Sequence, residues 1–207
     1  ALDADRALAA ARAPLAGVED GAVAQVSYPG AAGVDHPASV PAQDVGAPLS
    51  IVEAVVDVND KRKLAMADRV IAACGGTVEG KTVAVLGLTF KPNTDDMRDA
   101  PSLAILPALT AAGAHVRAYD PEGMDEAKEM LDGIEWCDET YATMVDADVL
   151  VIITEWNAFR GLDLDRVKSL LKVPVMVDLR NIYEPSEMAD RGFSYHCIGR
   201  KTAAQSS

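Results

Sequence analysis

The chain has 207 residues, a formal net charge of -13, 49% hydrophobic and 25% charged side chains, the ordinary balance of a globular protein in water. The acidity excludes nucleic acid as a general partner, because a phosphate backbone needs a basic surface; it leaves open one small anion held by a local cluster of cations. No apolar run reaches the ~18 residues that span a bilayer, and the Ala-rich start is interrupted by Asp3, Asp5, Arg6 and Arg12, so the chain is expected to be cytoplasmic, with no membrane partner.

Residues 1–46 read as an irregular segment. Pro29, Pro37 and Pro41 argue against a long helix or a central strand there. Residues 47–76 read as one long helix. Pro48 suits a first turn, Val52, Val55, Val56, Asn59, Met66, Val70 and Ala73 recur at helical spacing, and Gly75-Gly76 stops the run. At 1.5 Å per residue it would be roughly 40 Å long, more than a small domain needs for its own core. A connector or dimer-forming helix is the reading, with a simple covering helix as the alternative.

From Lys81 onward, strand and helix patterns alternate. Strands are expected at 82–87, 115–120, 134–137, 148–154, 174–179 and 194–199. Helices are expected at 102–113, with a kink at Pro107, and at 121–133, 140–147, 164–172 and 185–192. The run at 148–154 is apolar without alternation, as in a strand covered on both faces. This order predicts an α/β fold: a doubly wound, mostly parallel Rossmann-like sheet preceded by one long helix. The α/β domain takes 77–200, and 201–207 is a tail.

The loop after the first strand carries unusual chemistry. Gly87 ends the strand, and residues 88–99 hold Lys91, Asp95, Asp96, Arg98 and Asp99. Ligands of doubly wound sheets bind at the carboxyl ends of the strands, near the topological switch point. A helix opening near Ala100-Pro101 would aim its N–H groups at the same space. Together these point to a phosphate site. The alternative is a solvated turn in which Lys91 and Arg98 pair with the neighbouring aspartates. The loop has neither the G-x-G-x-x-G fingerprint nor a P-loop.

Other residues are assigned blander roles. Asp120 reads as a turn or capping residue, Glu155 and Trp156 as cleft-lining or packed, and His115 and His196 as packed within strands. Cys74, Cys137 and Cys197 are far apart and show no metal-ligand spacing, so no metal site is expected.

The string "GLTFKPNTDDMRDAPS" resembles the opening of the C-terminal, UDP-binding domain of the UDP-glucose 6-dehydrogenase family, within the UDP-glucose/GDP-mannose dehydrogenase superfamily. The likeness continues through "VRAYDP", "DADVLVIITEWNAFRGLD", "VMVDLRNIY" and "GFSYHCIGR", and back into "GAPLSIVEAVVDVNDKRK", which is similar to that family's central helix. It covers about residues 42–200.

The resemblance implies that Phe90, Lys91 and Arg180 contact the nucleotide-sugar and that Arg98 reaches NAD phosphates across a domain cleft. It implies UDP-glucose or UDP as ligand and a homodimer. The family reaction oxidises UDP-glucose to UDP-glucuronate with two NAD, through a thioester on a cysteine, and needs a dinucleotide-binding domain. No G-x-G-x-x-G occurs in this sequence, and "YPGAAGVDHPASVPAQDVG" before the long helix contains no cysteine. No residue of this chain is therefore assigned a catalytic role, and no cofactor is expected to bind it alone. Three readings follow: the UDP-sugar-binding and dimerising portion of such an enzyme, a stand-alone nucleotide-sugar-binding module, or an inactive truncated homologue.

Overall fold

The computed structural model describes residues 50–200. The expectations for 1–46, for the first positions of the long helix and for the tail at 201–207 lie outside the described residues.

The long helix is α1, Ser50–Ala73. Its end is chemical: Gly75 and Gly76 take φ of 83° and 94°, a left-handed conformation that costs glycine little. The amide of Gly76 donates to the Ile71 carbonyl at 3.0 Å. The second half of α1 belongs to the domain core. Ala67 and Val70 are buried, with Met66, Ile71 and Ala73 packed beside them. Arg69 donates to the Cys197 carbonyl at 3.0 Å, and Lys63 pairs with Asp99. Further toward the N-terminus the helix leaves the core. Val55 is 55% exposed, Val58 60% and Leu64 53%, whereas Val56 is half-buried.

The strands are β1 Thr82–Leu86, β2 His115–Tyr119, β3 Ile134–Trp136, β4 Val149–Ile152, β5 Val175–Asp178 and β6 Ser194–Cys197. They form one six-stranded sheet in the order β3-β2-β1-β4-β5-β6. Every pairing is parallel, so the sheet is wholly rather than mostly parallel. The helices between them are α2 Ser102–Ala111, α3 Met124–Met130, α4 Asn157–Arg160, α5 Leu164–Leu170 and α6 Pro185–Asp190. Residues Thr140–Met144 form a 3-10 helix where an ordinary short helix was expected, and the single turn α4 was not foreseen. Pro107 lies inside α2 without ending it.

Successive strand residues face opposite sides, so each strand feeds two cores. Val83, Val85, Val116, Val151 and Val177 join α1, α2 and α3. Ala84, Leu86, Leu150, Ile152 and Met176 join Phe159, Val167 and Met188 from α4, α5 and α6. Both faces of β4 are covered, which is why all its residues are buried. The chain builds outward from β1 to β3 and then returns to place β4 on the other side of β1. The crevice of the fold therefore opens beyond the carboxyl ends of β1 and β4.

Candidate functional site

Gly87 is what lets the two central strands leave the sheet side by side. Its φ is 86°, and a Cβ there would lie 2.6 Å from both Cβ and N of Thr154. Any side chain would thus force apart the exits of β1 and β4. The Gly87 amide instead donates to the Tyr119 carbonyl at 2.9 Å, and the Ile153 amide to the Leu86 carbonyl at 2.9 Å.

Past Gly87 the loop is tied down by one carboxylate, that of Asp120 at the end of β2, 1% exposed. Its Oδ2 accepts from the Leu88 amide at 2.6 Å, the Thr89 amide at 3.3 Å, the Thr89 hydroxyl at 3.4 Å and the Trp156 indole Nε1 at 3.1 Å. Its Oδ1 accepts from the amides of Glu122 at 3.0 Å and Gly123 at 2.9 Å. The expected turn role is present, but it is the smaller half of the work. Asp120 joins the chain ends that follow β1, β2 and β4. Trp156, 7% exposed, is accordingly a packed residue rather than a cleft wall.

From this anchor the loop turns outward. Thr154 Oγ1 donates to the Thr89 carbonyl at 2.7 Å, Thr89 Oγ1 to the Lys91 carbonyl at 3.1 Å, and the Phe90 amide closes on the Asp96 carbonyl at 2.9 Å. Phe90 is 49% exposed and Lys91 is exposed. The Lys91 ammonium has no hydrogen-bond or ion-pair partner among the described residues; its charge is felt by Asp96.

Arg98 differs. It grips Asp96 through Nε at 2.9 Å and a terminal nitrogen at 2.8 Å, and its amide donates to the same carboxylate at 3.0 Å. That guanidinium holds the Asp96 carboxyl down to about 2. The surface-pair alternative thus describes Arg98 and does not describe Lys91. The start of α2 departs from expectation. The amides of Leu103, Ala104 and Ile105 are taken by the carbonyls of Ala100 and Pro101, and the buried Ser102 hydroxyl donates to the Leu88 carbonyl. This helix end is used to hold the loop, not to face open space.

The other rim follows β5. Asp178, fully buried, accepts from the Arg180 amide at 2.9 Å, the Ile182 amide at 2.7 Å, the Tyr183 amide at 3.2 Å and the Tyr195 hydroxyl at 2.7 Å. Burial, and then the Asp178 charge, push the Tyr195 and Tyr183 phenols well above their ordinary range. Asn181, at φ 56°, clamps Ile198 in both directions, accepting at 2.8 Å and donating at 3.0 Å. Arg180 extends from this rigid turn and is met by Glu155 from the end of β4. Nε and a terminal nitrogen of Arg180 donate to the two Glu155 oxygens at 2.5 and 2.7 Å. The guanidinium keeps the Glu155 carboxyl below its ordinary value. A guanidinium has five N–H donors, so this fork leaves one edge available to another anion.

The sheet order puts β4 between β1 and β5. The loop bearing Phe90 and Lys91 and the turn bearing Arg180 therefore rise two strand spacings apart, about 10 Å. That span suits an extended ligand with an anionic middle. A dinucleotide does not fit the β1 loop. The amides of Leu88 and Thr89, which a pyrophosphate would need, are held by Asp120.

Three residues that shape the site were not singled out for what they do: Asp120, Asp178 and Glu155. A weak signal existed for two of them. Asp120 and Asp178 each end a strand and open a turn, "DPEG" and "DLRN", as aspartate does when it bonds amides ahead of it. His196 is half-buried with Ser194 Oγ 3.1 Å away. His115 is exposed and paired with Glu135 at 2.6 Å, not packed. Burial raises all three thiols, Cys74, Cys137 and Cys197, above the ordinary range, the opposite of an activated nucleophile.

Residues 84–185 match the model of the UDP-glucose/GDP-mannose dehydrogenase family, UDP binding domain. The chain is 56% identical to the UDP-glucose 6-dehydrogenase of Rhizobium meliloti (strain 1021) over 159 residues, 77% of this chain and 36% of that one. It is 43% identical to UDP-glucose 6-dehydrogenase TuaD of Bacillus subtilis (strain 168), over 77% of this chain and 34% of that one. The chain thus spans about a third of the length of these curated relatives. Among solved structures, a UDP-glucose dehydrogenase from Pyrobaculum islandicum superposes with a TM-score of 0.61 at 27% identity, over 81% of this chain and 35% of that one. An NDP-N-acetyl-D-galactosaminuronic acid dehydrogenase from Methanosarcina mazei Go1 gives a TM-score of 0.62 at 31% identity, over 70% and 30%.

Proposed function

Residues 84–185 belong to the UDP-binding domain of the UDP-glucose/GDP-mannose dehydrogenase family, and from that premise we propose that this chain is the UDP-sugar-holding and dimerising part of an NAD-dependent UDP-glucose 6-dehydrogenase. In this reading Lys91 and Arg180 hold the diphosphate from two sides. Phe90 offers a flat apolar surface to the ligand, and Glu155 keeps the Arg180 fork turned outward. The observation that carries it is the Lys91 ammonium. It stands exposed at the switch point without an ion-pair partner among the described residues, on a loop pinned from beneath by Asp120. An unneutralised cation on a rigid support is an anion site that needs no rearrangement to be used.

Arg98 is proposed to serve NAD rather than the sugar nucleotide. The β1 loop does not suit a dinucleotide, so NAD would be held by another domain and met by Arg98 at its edge. The hydride chemistry belongs to NAD, and the thiols described above lack the character to form the thioester. The N-terminal half of α1 is proposed to meet a second copy of the chain, because Val55 and Val58 stand exposed on it, with Leu64 exposed just beyond its middle.

Calorimetric titration of UDP into the parent chain, Lys91→Ala, Arg180→Ala and Arg98→Ala tests the site. Losing one charge-assisted phosphate contact costs about 1.5–3 kcal/mol, roughly ten- to a hundred-fold in affinity. Lys91→Ala and Arg180→Ala should show that loss with little change in unfolding midpoint, while Arg98→Ala should bind UDP like the parent. Equal affinity in all four proteins, or a loss only in Arg98→Ala, would remove the reading.

A further inference from the structure

The Asp120 side chain occupies an unusual position. In a sheet of this order, the first amides after β1 are the ones that ordinarily receive a ligand's anionic group. Here the amides of Leu88 and Thr89, the Thr89 hydroxyl and the Trp156 indole converge on one oxygen of Asp120, while the amides of Glu122 and Gly123 converge on the other. Every one of these groups is a donor. The pocket they form selects a carboxylate and rejects an amide, because a carboxylate only accepts and an amide nitrogen only donates.

We propose that Asp120 is the positioning residue of the nucleotide-sugar site, an internal anion that fills the amide nest after β1 and so sets the Phe90-Lys91 segment for an external diphosphate. The connection to Lys91 is short. Asp120 holds the amide of Thr89, and the Thr89 hydroxyl shares its one proton between Asp120 at 3.4 Å and the nearer Lys91 carbonyl at 3.1 Å. Thr89 is also fixed laterally, by Thr154 on its carbonyl at 2.7 Å. A Cβ on Gly123 would lie 2.4 Å from Thr89 Cγ2, so the turn after β2 presses directly on the same residue. Placing one buried charge under three chain ends keeps the loop from competing for its own cation. Without Asp120, the nest would carry unpaired donors and become the strongest nearby acceptor of a diphosphate. A ligand would then be drawn beneath Lys91 instead of across to Arg180. This inference rests on the nucleotide-sugar reading of the site for its functional consequence, but the filled nest is a property of the chain itself.

Two variants of the whole chain test it: Asp120→Asn, which is isosteric but must turn an NH2 toward donors, and Asp120→Ala, which empties the nest. Two-dimensional NMR follows the Leu88 and Thr89 amides and the Trp156 indole N–H, with calorimetry for UDP. In Asp120→Ala these three protons should shift and lose exchange protection, and sodium formate at about 0.1 M should restore them, with chloride at equal ionic strength as the control. UDP affinity should fall about tenfold or more in both variants and recover with formate in Asp120→Ala alone, since the Asn side chain blocks the nest. Should the Asp120 variants fail to fold, Thr89→Val keeps the buried carboxylate with its N–H donors and removes the one hydroxyl that reaches both Asp120 and the Lys91 carbonyl; its UDP affinity should fall several-fold. Parent-like UDP binding in the folded Asp120 variants, or in Thr89→Val if those do not fold, would overturn the proposal, as would formate acting equally on the parent. A parent that binds no UDP would defeat the reading of the site while the formate effect on the three N–H signals still decides whether the nest is filled as described.

Discussion

Replacing Gly87 by alanine tests the contact that makes the crevice. At φ 86° any L-residue carries a left-handed penalty of about 1–2 kcal/mol. The new methyl would also meet Cβ and the backbone N of Thr154 at 2.6 Å. A backbone nitrogen in a buried strand exit cannot turn aside as a side-chain tip can, so this overpacking should add about 1–3 kcal/mol. The sum, about 2–5 kcal/mol, is a large part of the ~5–15 kcal/mol that holds an ordinary domain together. For a domain of this size each kcal/mol lowers the midpoint by about 2–4 °C, so Gly87→Ala should melt roughly 4–20 °C below the parent. Gly80→Ala is the internal control. Gly80 has φ 68°, also left-handed, but nothing lies within 4 Å of its Cβ position. It should show the conformational penalty alone. Calorimetric melts of the three proteins give the clash as the difference between the two variants. If both variants melt together, β1 and β4 do not leave the sheet in rigid contact, and the argument for a preformed crevice fails.

Two further outcomes follow from the same geometry. Asp96 titrates at about 2 when folded, below its ordinary 3.8, chiefly because Arg98 hydrogen-bonds it; a depressed carboxyl stabilises the fold above the unfolded pKa and loses that contribution as pH falls through the folded one. The stability gap between the parent and Arg98→Ala, measured by urea unfolding, should therefore shrink as pH drops from about 4 toward 2, and a gap that stays constant over that window would show that the pair is not what lowers Asp96. On α1, a charge at Val58, which is 60% exposed, should weaken self-association without lowering the melting midpoint of the domain. Sedimentation in which Val58→Asp and the parent associate equally would take this face out of the proposed dimer.

The sequence by itself determined the elements and their order, because that information is local. The alternation of β-branched runs with three- and four-residue apolar spacing placed every strand and nearly every helix. Gly75-Gly76 ended α1 for a reason contained in two residues. The arginine partner at Asp96, two positions from Arg98, was also within reach of local reading. Tertiary structure alone decided which charges distant in sequence are paired and that Lys91 has no such partner among the described residues. Arg180 meets Glu155, and Leu88, Thr89 and Trp156 meet Asp120, only because the order β3-β2-β1-β4-β5-β6 brings the ends of distant strands together. The same holds for α1: its length in sequence showed that part of it would outreach the core, but only the fold showed that Ala67 and Val70 are the buried part while Val55 and Val58 are exposed. Periodicity is written along the chain at intervals of two to four residues, whereas an ion pair or an exposed face depends on distances across the sheet that no interval along the chain encodes.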